Sequence, residues 1–173
     1  TFSSILSVYK KVDFSRWAFL AGVLFAISSS GIEAQQCTNW TQRASTGPSP
    51  RDAMGIAFDG ARGKTVLFGG YGPSITNETW LWDGNSWTLG ATGGPEPRFL
   101  NSMAYDSQRQ RVVLFGGQGT STGWKRDTWE WNGTSWSSRS NTGPSARHGH
   151  AMAYDSLRQR TVLFGGYAPS VAF

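Results

Sequence analysis

What most constrains this chain is a pattern that occurs three times. Units begin at Arg51, Arg98 and Arg147, spaced 47 and 49 residues apart, and the same intervals separate the Phe-Gly-Gly triplets at Phe68, Phe115 and Phe164. One such match could arise by chance; several features in register cannot. A period of this length marks an array in which each unit is a single supersecondary element that buries its apolar faces against its neighbours.

The residues of a unit predict four short strands. The first reads Gly55-Ile56-Ala57-Phe58, Ser102-Met103-Ala104-Tyr105 and Ala151-Met152-Ala153-Tyr154 in the three copies, each followed by Asp, a residue that bonds its own backbone in turns. A basic turn leads into an apolar second strand, Thr65-Val66-Leu67-Phe68, Val112-Val113-Leu114-Phe115 or Thr161-Val162-Leu163-Phe164, which Gly-Gly terminates. Consecutive apolar residues call for cover on both sheet faces. The third strand alternates, with Trp80 and Trp82 in one unit and Trp129 and Trp131 in the next, so the paired indoles share a side. Asp83-Gly84 and Asn132-Gly133 then suit a type I′ hairpin, and a fourth strand begins at Trp87 and Trp136. The 22 glycines and nine tryptophans in 173 residues fit short strands joined by tight turns.

This combination of a leading Arg, a hydrophobic-Phe-Gly-Gly strand, a Thr-Trp-x-Trp strand and a closing Trp resembles the Kelch repeat of the galactose oxidase/Kelch superfamily. The resemblance implies an all-β fold, a β-propeller of four-stranded blades, over residues 35–173. Trp40 precedes Gly47-Pro48 by the intervals that separate Trp87 from Gly94-Pro95 and Trp136 from Gly143-Pro144. The expected order is therefore one lone outer strand, two full blades and half of a third.

The resemblance also places the turns between strands two and three, and those between units, on one face of the ring, where family binding sites lie. The loops there differ between units, residues 71–78 in one and 118–127 in the next, and variable loops on a constant frame are where recognition is placed. Tyr71, Trp124, Lys125 and Arg126 are candidates for that reason. The third residue after each leading Arg also varies, Met54, Asn101 and His150, at the mouth of the first strand, so Asn101 and His150 join the set. His148, which faces the same side as His150, is a further candidate for ligand binding, but two histidines without a third ligand do not make a metal site, and no cofactor is expected. The recurring arginines read as frame. Each basic turn (Arg62 and Lys64, Arg109 and Arg111, Arg158 and Arg160) reads as a solvated turn whose first Arg neighbours the preceding Asp.

Catalytic constellations are not visible. Galactose oxidase-like copper chemistry would need a Tyr-His pair and a Cys crosslinked to Tyr, yet no Tyr-His dipeptide occurs and Cys37 precedes the first unit. The turn Asp83-Gly84-Asn85-Ser86-Trp87 matches the sialidase turn only loosely. The expected function is ligand binding, of a carbohydrate or protein, through the variable loops. The alternative is a propeller scaffold of an extracellular oxidase or glycoside hydrolase whose catalytic residues lie outside this stretch.

Residues 1–34 read as an export segment. Lys10, Lys11 and Arg16 precede an eleven-residue apolar run, Trp17 to Ile27, within the length of a signal peptide's hydrophobic region and short of the roughly 20 residues needed to span a bilayer. Cleavage is expected after Ala34, with an uncleaved anchor as the alternative, so the expected location is secreted or extracytoplasmic, at a cell surface or in a periplasm. Outside that segment the +5 formal charge falls to about +4 and is too diffuse for a nucleic-acid surface.

Overall fold

The computed structural model describes residues 41–120 and 123–168. The export segment, Cys37 and Trp40 lie outside the described residues. What is described is all-β and belongs to one compact unit.

Two four-stranded antiparallel sheets and one two-stranded sheet correspond to the three sequence units, and none closes on itself. The first contains β1 (Gly55–Asp59), β2 (Lys64–Phe68), β3 (Thr79–Trp82) and β4 (Trp87–Ala91), in that spatial order. A two-residue strand, β5 (Arg98–Phe99), precedes the second sheet and pairs with β8 (Gln118–Gly119). The second sheet runs β6 (Ser102–Asp106), β7 (Arg111–Phe115), β9 (Thr128–Trp131) and β10 (Trp136–Ser140), and the third holds β11 (Ala151–Asp155) and β12 (Arg160–Phe164). The register repeats: Gly55 opposes Phe68, Ser102 opposes Phe115 and Ala151 opposes Phe164. The first strands β1, β6 and β11 lie next to one another.

The core forms between successive sheets. Val66 and Phe68 of the first meet Met103, Val112, Leu114 and Trp131 of the second. Trp136 packs its ring edge-on to Phe68 at 5.2 Å and donates from Nε1 to Thr79 Oγ1 at 2.8 Å, so the closing Trp of one unit locks onto the preceding sheet. That indole explains the Gly-Pro register. A Cβ on Gly94 would lie 2.6 Å from the Trp136 ring, and one on Gly47 would lie 2.8 Å from that of Trp87.

One expectation needs correction. Trp82 pairs with Trp87 and Trp131 with Trp136, so each hairpin has a four-residue loop rather than a two-residue type I′ turn. Asp83 Oδ1 accepts the N–H groups of Asn85 and Ser86, and Asn132 Oδ1 those of Thr134 and Ser135. A side chain that caps two backbone donors makes the longer loop self-sufficient, and only Gly84 and Gly133 take positive φ there. Residues 41–44, which follow Trp40, form no ladder among the described residues. They border instead an open hollow with Ile56, Thr65, Trp82 and Trp87.

Candidate functional site

The leading arginines are staples. The buried Arg98 guanidinium holds both Asp127 oxygens at 2.7 and 2.8 Å and the Gly116 carbonyl at 3.0 Å. Arg51 repeats this with Glu78 at 2.8 Å and the Gly69 carbonyl at 3.3 Å, and Arg147 reaches the Gly165 carbonyl at 2.9 Å. Burial alone would raise the Asp127 pKa, but the Arg98 hydrogen bonds and charge, with the Trp129 indole, hold it below the usual carboxylate range. The Gly-Gly pairs exist for the same junction: Gly70 and Gly117 donate to the carbonyls of Arg98 and Arg147, the leading residues of the next units, both at 2.9 Å. A Cβ at Gly116 would sit 2.6 Å from the Arg147 oxygen. At the opposite turns Arg62, Arg109 and Arg158 bind Asp59, Asp106 and Asp155 at 2.7–2.8 Å, which makes those basic turns local ion pairs.

With the staples set, the three residues after each leading Arg lead into the first long strand of the unit, β1, β6 or β11. The second of them, Ala53, Leu100 and Gly149, all take positive φ (52°, 54° and 65°). They form a chain, Leu100 N–H donating to the Ala53 carbonyl at 2.7 Å and Gly149 N–H to the Leu100 carbonyl at 2.9 Å. A left-handed Leu costs about 1–2 kcal/mol, which these inter-unit bonds offset.

Aromatic side chains gather at the residues just before that chain and on the loops bridged to them. The Tyr71 ring stands 5.7 Å from Phe99. Trp124, His148 and Tyr167 form a triangle with centroid separations of 5.3, 5.0 and 5.7 Å. Backbone bridges hold these loops in place: Tyr71 with Asp52 and Ile75, Gln118 with Trp124, and His148 with Tyr167. Phe99 pairs with Gln118, and Gln118 bridges Trp124, so backbone pairing links the two aromatic groups into one arc of loops. A hollow of about 600 Å³ opens beside Tyr71, lined by Asp52, Ala53, Phe99 and Leu100.

Of the residues expected from sequence, Tyr71, Trp124 and His148 thus come to the arc. Lys125 pairs with Glu96 beside it, and Arg126 donates to the Gly143 carbonyl at 3.4 Å. Asn101 and His150, the next residues in sequence after Leu100 and Gly149, are buried. The His150 ring meets Phe115 edge-on at 5.5 Å; burial, and then the charge of Arg147, push its pKa down. Among the described residues no group of three His, Cys, Asp or Glu side chains is placed to hold a metal, and no helix is long and apolar enough to cross a membrane. Sequence reasoning missed Phe99, Tyr167 and Asp52. Register was the available signal: Tyr167 stands where Tyr71 does in its unit, and Phe99 and Asp52 stand where His148 does.

No family model matches the chain, and no curated protein matches it. Among solved structures, that of YjhT superposes on 64% of this chain with a TM-score of 0.52 and 22% identity. The chain spans 33% of the length of that structure. The likeness is one of fold.

Proposed function

We propose that this chain is part of a secreted Kelch-type β-propeller that binds a carbohydrate through its arc of rim aromatics. Three repeats in register, first strands side by side and a repeated inter-unit staple support the propeller reading. The single observation behind the ligand is the arc, in which Tyr71, exposed over half its surface beside an open hollow, and Tyr167, nearly two-thirds exposed, sit on loops pinned by backbone bridges. Exposed aromatic rings with polar edges offer an apolar face to a sugar ring and hydrogen bonds at its margin. Partners of nucleic-acid type find no basic stripe here.

Binding of a panel of neutral and acidic oligosaccharides, measured by calorimetry, tests this. Trp124→Ala should lower affinity about tenfold, equivalent to about 1.4 kcal/mol, with the circular dichroism spectrum unchanged. A panel that shows no binding, or a Trp124→Ala protein that binds as well as the parent, would remove the carbohydrate assignment.

A further inference from the structure

One carboxylate stands outside the charge pairing of the frame. Every other Asp and Glu side chain among the described residues is engaged by an arginine, a lysine or, for Asp83, its own hairpin loop. Asp52 is exposed, and among the described residues no hydrogen bond or ion pair reaches its carboxylate; only its backbone is bonded, to Tyr71. The arginines that precede Asp52 and Phe99 are committed elsewhere, Arg51 to Glu78 and Arg98 to Asp127.

The surroundings of that carboxylate are aromatic. Asp52 and Tyr71 exchange two backbone hydrogen bonds, at 2.8 and 2.9 Å. Residues paired in this way across antiparallel segments carry their side chains on one face, with Cβ atoms about 5 Å apart. The equivalent pair in the third unit, His148 and Tyr167, has ring centroids 5.7 Å apart. Phe99 holds the register position of Asp52 in the second unit, and its ring also stands 5.7 Å from that of Tyr71. All three residues line the hollow of about 600 Å³, to which Ala53 and Leu100 add apolar surface and in which Asp52 is the only charged lining residue. Small-ligand sites are of this size and have this make-up, mostly apolar with a few polar groups that set specificity.

Two aromatic rings and one unpaired carboxylate select a cation that carries N–H groups. An ammonium donates charge-assisted hydrogen bonds to a carboxylate and is attracted to aromatic faces within about 6 Å of their centroids. An anion would meet the charge of Asp52, and a neutral group would expel water from that charge without compensating it. We infer that this hollow is a subsite for a protonated amine, held by the Asp52 carboxylate beside the Tyr71 and Phe99 rings. The subsite rests on the carbohydrate reading above, to which it adds that the preferred sugar carries a free amino group. The formal charge of the chain, +5, repels cations, so a preference for one must arise locally.

Calorimetry on the whole chain compares a glucosamine trisaccharide with its N-acetylated form and with a glucuronate oligomer, while nuclear magnetic resonance follows the Tyr71 and Phe99 rings as methylammonium or methanol is added. The glucosamine form should bind about tenfold tighter than the acetylated form, the glucuronate oligomer should bind most weakly, and added salt should narrow the gap. Methylammonium, but not methanol, should move both ring signals saturably. Asp52→Asn should erase the preference without lowering the melting temperature, because the carboxylate makes no bond within the fold. Equal affinity for the two glucosamine forms, or a preference that survives in Asp52→Asn, would overturn the ammonium subsite and leave the carbohydrate reading in place. Ring signals that move with methylammonium when no sugar binds would keep the subsite and remove the carbohydrate reading. Rings that respond to neither methylammonium nor any sugar would overturn both.

Discussion

At the residue scale, charge here works for the frame, and its worth depends on burial. Asp127→Ala leaves the fully buried Arg98 guanidinium without its counter-charge, a change that costs about 3–5 kcal/mol; urea denaturation should show the midpoint fall accordingly. Arg158, mostly exposed, pairs with Asp155 in a solvated turn, and Arg158→Ala should cost under about 1 kcal/mol. His150 sets a pH dependence of its own. Because burial lowers its folded-state pKa, the unfolded chain takes up more protons as pH drops below about 6.5. Stability is therefore fully present above that pH and declines beneath it, before the carboxylates titrate below about 4.5. Thermal melts from pH 7 to 5 should show this decline in the parent chain and a flatter profile in His150→Phe.

Elements are joined by glycines that admit a neighbour, and two glycines with similar backbone angles separate conformational strain from crowding. Gly84 has φ of 99° and open space where a Cβ would be; Gly94 has φ of 117° with the Trp136 ring 2.6 Å from that point. Gly84→Ala should cost about 1 kcal/mol from backbone strain alone. Gly94→Ala should cost about 1–3 kcal/mol more, because the indole that seals one sheet against the next must shift. Equal losses in chemical denaturation would show that the Gly-Pro corner does not position the closing Trp. Trp131, fully buried in the same seam, should cost about 3–5 kcal/mol when replaced by Ala.

For the whole molecule, residues in register reveal what a neighbouring sheet covers. Phe68 and Phe115 are 0% and 3% exposed, while Phe164, their equivalent on β12, is 83% exposed. On the other side Met103 is 6% exposed where its equivalent Ile56 on β1 is 53%. Identical positions in one frame thus change from core to surface according to whether a sheet stacks on them, and apolar faces of this kind promote association. Light scattering should show the chain self-associating as concentration rises. Phe58→Ser with Phe164→Ser should reduce that association without lowering the melting temperature, whereas Phe115→Ser should unfold the protein; association unchanged in the double variant would place the sticky surface elsewhere.

Strand positions, their order and the structural role of the recurring arginines were legible in the amino-acid sequence, because each follows from local periodicity or from a residue type repeated in register. Phe-Gly-Gly ends a strand wherever it occurs, since the chain must turn there without side chains. The candidate site was legible in part: Tyr71 and Trp124 stood out in variable loops and His148 by its spacing from His150, but nothing local joins Tyr71 to Phe99 or Trp124 to Tyr167. Hairpin length was misread because Asp83 and Asn132 cap loops with their side chains, a hydrogen-bonding choice that the Asp-Gly and Asn-Gly pairs do not reveal. That Leu100 adopts a left-handed backbone, and that Asn101 and His150 are buried, was decided only by tertiary structure. Those states are imposed by contacts between units some 48 residues apart in sequence, where the packing of one sheet on the next overrides what any short stretch of chain would prefer.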